Sequence, residues 1–88
     1  MLKDIERKIL RIIGNYFILH KRTPSIQELE IKTGRSREGI MEVLTLLVQE
    51  RYIEWSPSAP NRIVILEAWE RTTYQKKYTF VYDTYGEN

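Results

Sequence analysis

Residues 21–53 read KRTPSIQELEIKTGRSREGIMEVLTLLVQERYI, and this stretch decides the fold. Ser25 stands just before an apolar-periodic run with Glu28 three residues on, so its hydroxyl can cap the Glu28 amide while the Glu28 carboxylate reaches back. A helix starts there, with Ile26, Leu29 and Ile31 to Thr33 expected on its buried side. Gly34 closes it, being the residue type that tolerates a left-handed conformation. Ser36 can then cap a second helix over residues 36–50, in which Ile40, Val43, Leu44 and Leu47 recur at spacings of three and four. Tyr52 and Ile53 follow in strand-like style. Two short helices joined by a glycine turn make a helix-turn-helix pattern.

Outward toward the N-terminus, the spacing predicts a helix over about residues 3–20. Ile5, Ile9, Ile12, Ile13, Tyr16 and Phe17 form one stripe that should pack under the two helices. Gly14 interrupts it and weakens the helix by up to roughly 1 kcal/mol against alanine, which implies a close contact or a local bend there. His20 falls at the helix end, where a solvated cap is the expected role. Outward toward the C-terminus, residues 52–55 and 62–66 read as strands around the loop SPSAPN. Pro57 and Pro60 stiffen that loop and remove amide donors, which suits a protruding wing and equally a plain hairpin loop.

Residues 23–66, TPSIQELEIKTGRSREGIMEVLTLLVQERYIEWSPSAPNRIVIL, resemble the DNA-binding domain of the LexA repressor family, about half the chain. The shared plan is a proline-serine start, a capped helix, a glycine turn, a recognition helix with a Leu-x-x-Leu ending, and a two-stranded wing. Two positions depart from it. Tyr52 stands where the family usually has glycine, and the basic wing residues are unmatched at Ala59 and Asn61, with Arg62 next door. Other winged helices, such as the MarR-like regulators, share the same trace. The resemblance implies an α+β winged helix-turn-helix: three helices, a small antiparallel wing sheet and, from the tail, a possible extra C-terminal strand. The family also carries a self-cleaving domain with a Ser and Lys pair, for which this chain has no room, so a regulator without self-proteolysis is expected.

Composition agrees with one small domain. Eighty-eight residues hold a single core, near the size where a partner copy often completes burial. The chain is 42% hydrophobic and 30% charged, a globular balance. It has no cysteine, which excludes disulfides and thiolate metal sites. No apolar run reaches membrane-spanning length, and the charged start MLKDIERK lacks the apolar core of a signal peptide, so a cytoplasmic protein without membrane contact is expected. One histidine, no glycine-rich phosphate loop and no nucleophile elbow argue against an enzyme, and no cofactor or metal is expected.

Charge is unevenly distributed. Residues 1–22 carry six Lys or Arg against Asp4 and Glu6, whereas residues 23–55 carry four cations against six glutamates. Phosphate contacts supply most non-specific DNA affinity, so an acidic reading head must depend on a few well-placed arginines or on other segments. The expected function is a sequence-specific, double-stranded-DNA-binding transcriptional regulator. Arg35 and Arg37 are the side chains best able to reach phosphate or a guanine edge, at the N-terminal turns of a helix begun by Ser36. Glu38 and Glu42 can accept from cytosine amino groups or repel wrong sequences. Thr23 and Ser25 can donate to phosphate beside a helix start, and Asn61 with Arg62 would serve the wing. A solvated surface charge is the plain alternative for each arginine.

The rival expectation is a winged-helix protein-interaction module, an anti-repressor or adaptor that docks on another regulatory protein without reading DNA. It rests on Met41, Leu46 and Val48, which lie off the buried stripe and would add apolar surface to an acidic helix. The domain is expected to span residues 1–71, followed by an aromatic extension over residues 72–88 that packs on the domain or at a dimer interface. In that extension Tyr74, Tyr78, Phe80 and Tyr82 share parity, so a strand over residues 78–82 puts its aromatics on one face that needs cover. A homodimer using these four residues is the expectation, although rings beside Lys76 and Lys77 also suit stacking on single-stranded nucleic acid. Residues 67–71 are open between a helical turn and irregular chain.

Overall fold

A computed structural model of the chain describes residues 2–69. Its elements are α1 (Asp4–His20), α2 (Ile26–Thr33), α3 (Arg37–Gln49), β1 (Ile53–Glu54) and β2 (Val64–Ile65). The two strands pair antiparallel, Ile53 opposite Ile65 and Glu54 opposite Val64. They are shorter than the strands the sequence suggests, because only these pairs complete a ladder before the chain turns away. This is a small α+β domain of three helices and a two-stranded sheet. Among the described residues no helix is long and apolar enough to cross a membrane.

Each helix begins as its local sequence dictates. The Glu6 carboxylate accepts from the Lys3 amide at 2.6 Å and so holds the first turn of α1. At α2 the capping box forms in both directions: Glu28 N donates to Ser25 Oγ at 3.1 Å, and Ser25 N donates to Glu28 Oε1 at 2.8 Å. Ser36 Oγ accepts from Gly39 N at 3.1 Å to start α3. Gly34 closes α2 with φ 73°, its amide donating to Glu30 O. The turn after α3 also needs one left-handed residue, and it is Arg51 with φ 64°. Tyr52 is therefore not the position where the backbone asks for glycine; its side chain is buried.

α3 packs against α1, α2 and β1, and the core gathers around it. Ile40, Leu44 and Leu47 of α3 meet Ile9 and Ile13 of α1 and Ile26 and Leu29 of α2 in one cluster that excludes water. Burying each such side chain contributes about 1.5–3 kcal/mol. Met41, Leu46 and Val48 are partly buried and pack against this cluster, so they are flanks of the core and not added surface.

Two expected faces turn out differently. On α1 the covered set is Glu6, Ile9, Leu10, Ile13, Gly14 and Tyr16, while Phe17 is 46% exposed. The stripe is rotated because the chain after β2 crosses α1 on the Leu10 to Gly14 side; a Cβ added to Gly14 would sit 3.4 Å from Ala68 Cβ. That close approach is the contact the interrupted stripe implied. On α2, Ile31 is 75% exposed. It lies about 200° around the helix axis from buried Leu29, on the opposite face.

The SPSAPN loop does not stand away from the domain. Ala59 N donates to Ser56 O and Arg62 N donates to Ala59 O, folding it into two tight turns, and Trp55 Nε1 donates to Pro60 O at 2.9 Å. Asn61 Oδ1 then accepts from the Ile26 amide at 3.0 Å, and Thr23 Oγ1 donates to Ile63 O at 2.9 Å. The loop is thereby fastened to the start of α2. Beyond β2, the Tyr52 carbonyl accepts from both Leu66 N and Glu67 N, and residues 66–69 continue as bends without a helical turn. Tyr74, Tyr78, Phe80, Tyr82 and the possible C-terminal strand lie outside the described residues.

Candidate nucleic-acid interface

The start of α3 presents most of the expected contact residues together. Arg35, Ser36, Arg37, Glu38 and Glu42 are all exposed, because Ile40, Val43, Leu44 and Leu47 commit the other side of the helix to the core. Thr45 and Gln49 extend this outward face toward the helix end. Among the described residues no carboxylate lies within ion-pair distance of Arg35 or Arg37. Their guanidinium donors are therefore available to an external acceptor.

A second group forms around a surface hollow of about 450 Å³ at the beginning of α2, lined by Phe17, Arg22, Thr23, Ser25, Asn61 and Arg62. The fold brings Thr23 and Ser25 beside Asn61 and Arg62 across some forty positions of sequence, through the two loop fasteners already described. Those fasteners change what the residues can do. The Thr23 hydroxyl proton is given to the Ile63 carbonyl, so Thr23 is a fastener and not the phosphate donor expected of it. Asn61 spends its carbonyl oxygen on Ile26 N and keeps its side-chain NH2 as the donor that can face outward. Ser25 Oγ is taken as an acceptor by the Glu28 amide. With Ile26 N and Glu28 N both satisfied inside the protein, the α2 start has little left of the open amides that make a helix N-terminus an anion site.

Arg22 also lines the hollow, and its charge is already balanced. Both of its terminal nitrogens donate to Glu28, each at 3.2 Å, and its guanidinium lies 5.1 Å from the Tyr16 ring centroid. The Tyr16 hydroxyl donates to Glu28 Oε2 at 2.5 Å. The Tyr16 and His20 rings lie tilted against each other at 34° with centroids 4.1 Å apart, and Lys32 Nζ sits 5.7 Å from the Tyr16 ring centroid. Glu28 thus accepts from Arg22, Tyr16 and the Ser25 amide. These hydrogen bonds, Arg22 first, hold its carboxyl well below the usual carboxylate range. The same bond to Glu28 raises the Tyr16 hydroxyl and the Arg22 guanidinium above their ordinary values.

Sequence reasoning missed this cluster. The capping-box glutamate was legible, but its second duty depends on Tyr16 arriving from α1 twelve positions away. Arg62 is left as the exposed cation of the hollow, with no carboxylate at ion-pair distance among the described residues. Among those residues, too, no three acidic or histidine side chains gather to hold a metal ion. No protein-family model and no curated protein matches the chain.

Proposed function

We propose that this domain is a winged helix-turn-helix of the LexA-like kind that binds double-stranded DNA and acts in transcriptional control. α2 and α3 are the helix-turn-helix, α3 enters the major groove, and β1, β2 and the loop between them form a short wing. The observation that carries the reading is the outward face at the start of α3, where Arg35 and Arg37 stand exposed with no carboxylate partner among the described residues. A bidentate arginine to guanine is the commonest specific contact in that geometry. Ser36, Glu38 and Glu42 border the arginines, and Glu38 and Glu42 favour cytosine amino groups or repel other edges. Arg62 supplies a wing phosphate contact, with the Asn61 NH2 beside it and Ser25 at the edge of the same hollow.

Salt dependence and two variants test this. On a preferred duplex, log affinity falls linearly with log salt at a slope near −0.9 per phosphate neutralised. Arg62→Ala weakens all duplexes alike and flattens the slope by about one, while Arg37→Ala costs roughly 1–3 kcal/mol on the preferred site and little elsewhere. Absence of duplex affinity at low salt overturns the proposal.

The acidic balance of residues 23–55 favours a second reading, a docking module for another regulatory protein. Such docking would leave the chain without duplex affinity even at low salt.

A further inference from the structure

An apolar groove of about 370 Å³ runs along α1, between that helix and the chain leaving β2. Gly14, Phe17 and Ile18 form one wall, and Val64, Ala68 and Trp69 form the other. Ile18 is 64% exposed and Trp69 is 70% exposed, so the groove holds much of the domain's uncovered apolar surface. We propose that its occupant is the chain's own following segment, residues 70–88, with Tyr78, Phe80 and Tyr82 covering Phe17, Ile18 and Trp69.

The place where the described chain ends supports this occupant. Trp69, the last described residue, is itself part of the wall. The reach is ample: Tyr78 is nine positions beyond Trp69, a span of up to roughly 30 Å when extended. From Gly14 to Ile18 the α1 wall is only about 6 Å long. Chemistry agrees as well, since Tyr78, Phe80 and Tyr82 share parity and present their rings on one side of an extended segment. Such a segment also has a backbone to meet. Among the described residues β2 has a strand on one edge only, and an open edge is a template for a further strand.

A second copy is the poorer fit. A stable dimer buries about 20–30 residues on each side, far more than the few apolar side chains of this groove. A tethered segment, by contrast, is present at an effective concentration on the order of millimolar without needing a large interface. Aromatics that composition would assign to a partner copy are therefore assigned to the domain that carries them.

Trp69 reports on the groove directly. In the full chain carrying Trp55→Phe, Trp69 is the single tryptophan, and its quenching by acrylamide measures its cover. Two variants are compared with that parent: Tyr78, Phe80 and Tyr82 all replaced by serine, and Ile18→Arg on the exposed side of α1. If cover brings the ring from 70% exposed to about a quarter exposed, quenching in the parent is about threefold weaker than in either variant, since only the polar edge of an amphipathic ring then stays wet. Parent and variants are expected to remain monomeric by light scattering, with quenching independent of protein concentration. Equal quenching in parent and variants overturns the proposal. So does shielding that appears only as the scattering mass doubles, which assigns the groove to a second copy.

Discussion

Replacing Asn61 by alanine removes the acceptor of the Ile26 amide, the bond that ties the β1 to β2 loop to the start of α2. Ile26 is completely buried, and its N–H meets Asn61 Oδ1 at 3.0 Å in a partly buried setting. An amide left without an acceptor in such a place costs about 1–3 kcal/mol. For a domain of this size that lowers the melting temperature by about 4–8 °C per kcal/mol. Asn61→Asp is the informative companion. It keeps an oxygen at the same place and puts a negative charge beside a helix N-terminus, so its stability stays near that of the parent. It also loses the outward NH2 and adds a charge that repels phosphate, so under the proposed DNA-binding function duplex affinity falls where stability does not. Thermal and urea melts of the three chains, beside a duplex titration of each, separate the two effects. Asn61→Ala within about 0.5 kcal/mol of the parent would refute the fastening role. Aspartate as damaging as alanine would refute it too, because the acceptor would then not be what matters.

Three further outcomes follow from the same geometry. Because Glu28 is held below the usual carboxylate range when folded, its stabilisation is fully present above the unfolded carboxylate value and is lost as pH falls through that range toward the folded value; stability plotted against pH should fall more steeply on the acid side for the parent than for Glu28→Gln. Lys21 closes α1 in a left-handed conformation with φ 62°, and Lys21→Gly should raise stability by up to about 1 kcal/mol in urea melts because glycine adopts that conformation without a Cβ penalty. Leu29→Ala should cost about 2–5 kcal/mol while Ile31→Lys stays within about 0.5 kcal/mol, and a comparable loss at both positions would contradict the orientation of α2.

Caps and periodic runs carried most of the fold in the sequence. Ser25 with Glu28, Gly34 and Ser36 set the limits of α2 and the start of α3, because each acts on backbone groups within three or four residues. Ile40, Val43, Leu44 and Leu47 named the buried side of α3 for the same reason. What stayed hidden depends on contacts from far along the chain. The α1 stripe is rotated by Ala68, fifty-four positions beyond Gly14. The loop, which suited a protruding wing and a plain hairpin alike, is held down by Asn61, whose polarity reads equally well as a surface contact. Of the candidate site, the arginines at α3 were legible because an exposed cation at a helix start follows from spacing alone. Thr23 was not, since nothing local distinguishes a hydroxyl that faces a ligand from one that meets a carbonyl forty residues away.

The fasteners between α2 and the returning strand also bear on how this domain comes to exist. They join residues thirty-five and forty positions apart. A chain of residues 2–53 would contain all three helices, yet it would lack the acceptor for the Ile26 amide and the carbonyl that anchors Thr23. Closing loops of that length costs chain entropy before the two contacts repay it, so both fasteners form only after residues 61–63 have been synthesised. During synthesis the first turn of α2 therefore rests on the Ser25 and Glu28 capping box alone, and the Ile26 amide gains its acceptor only when the short hairpin docks.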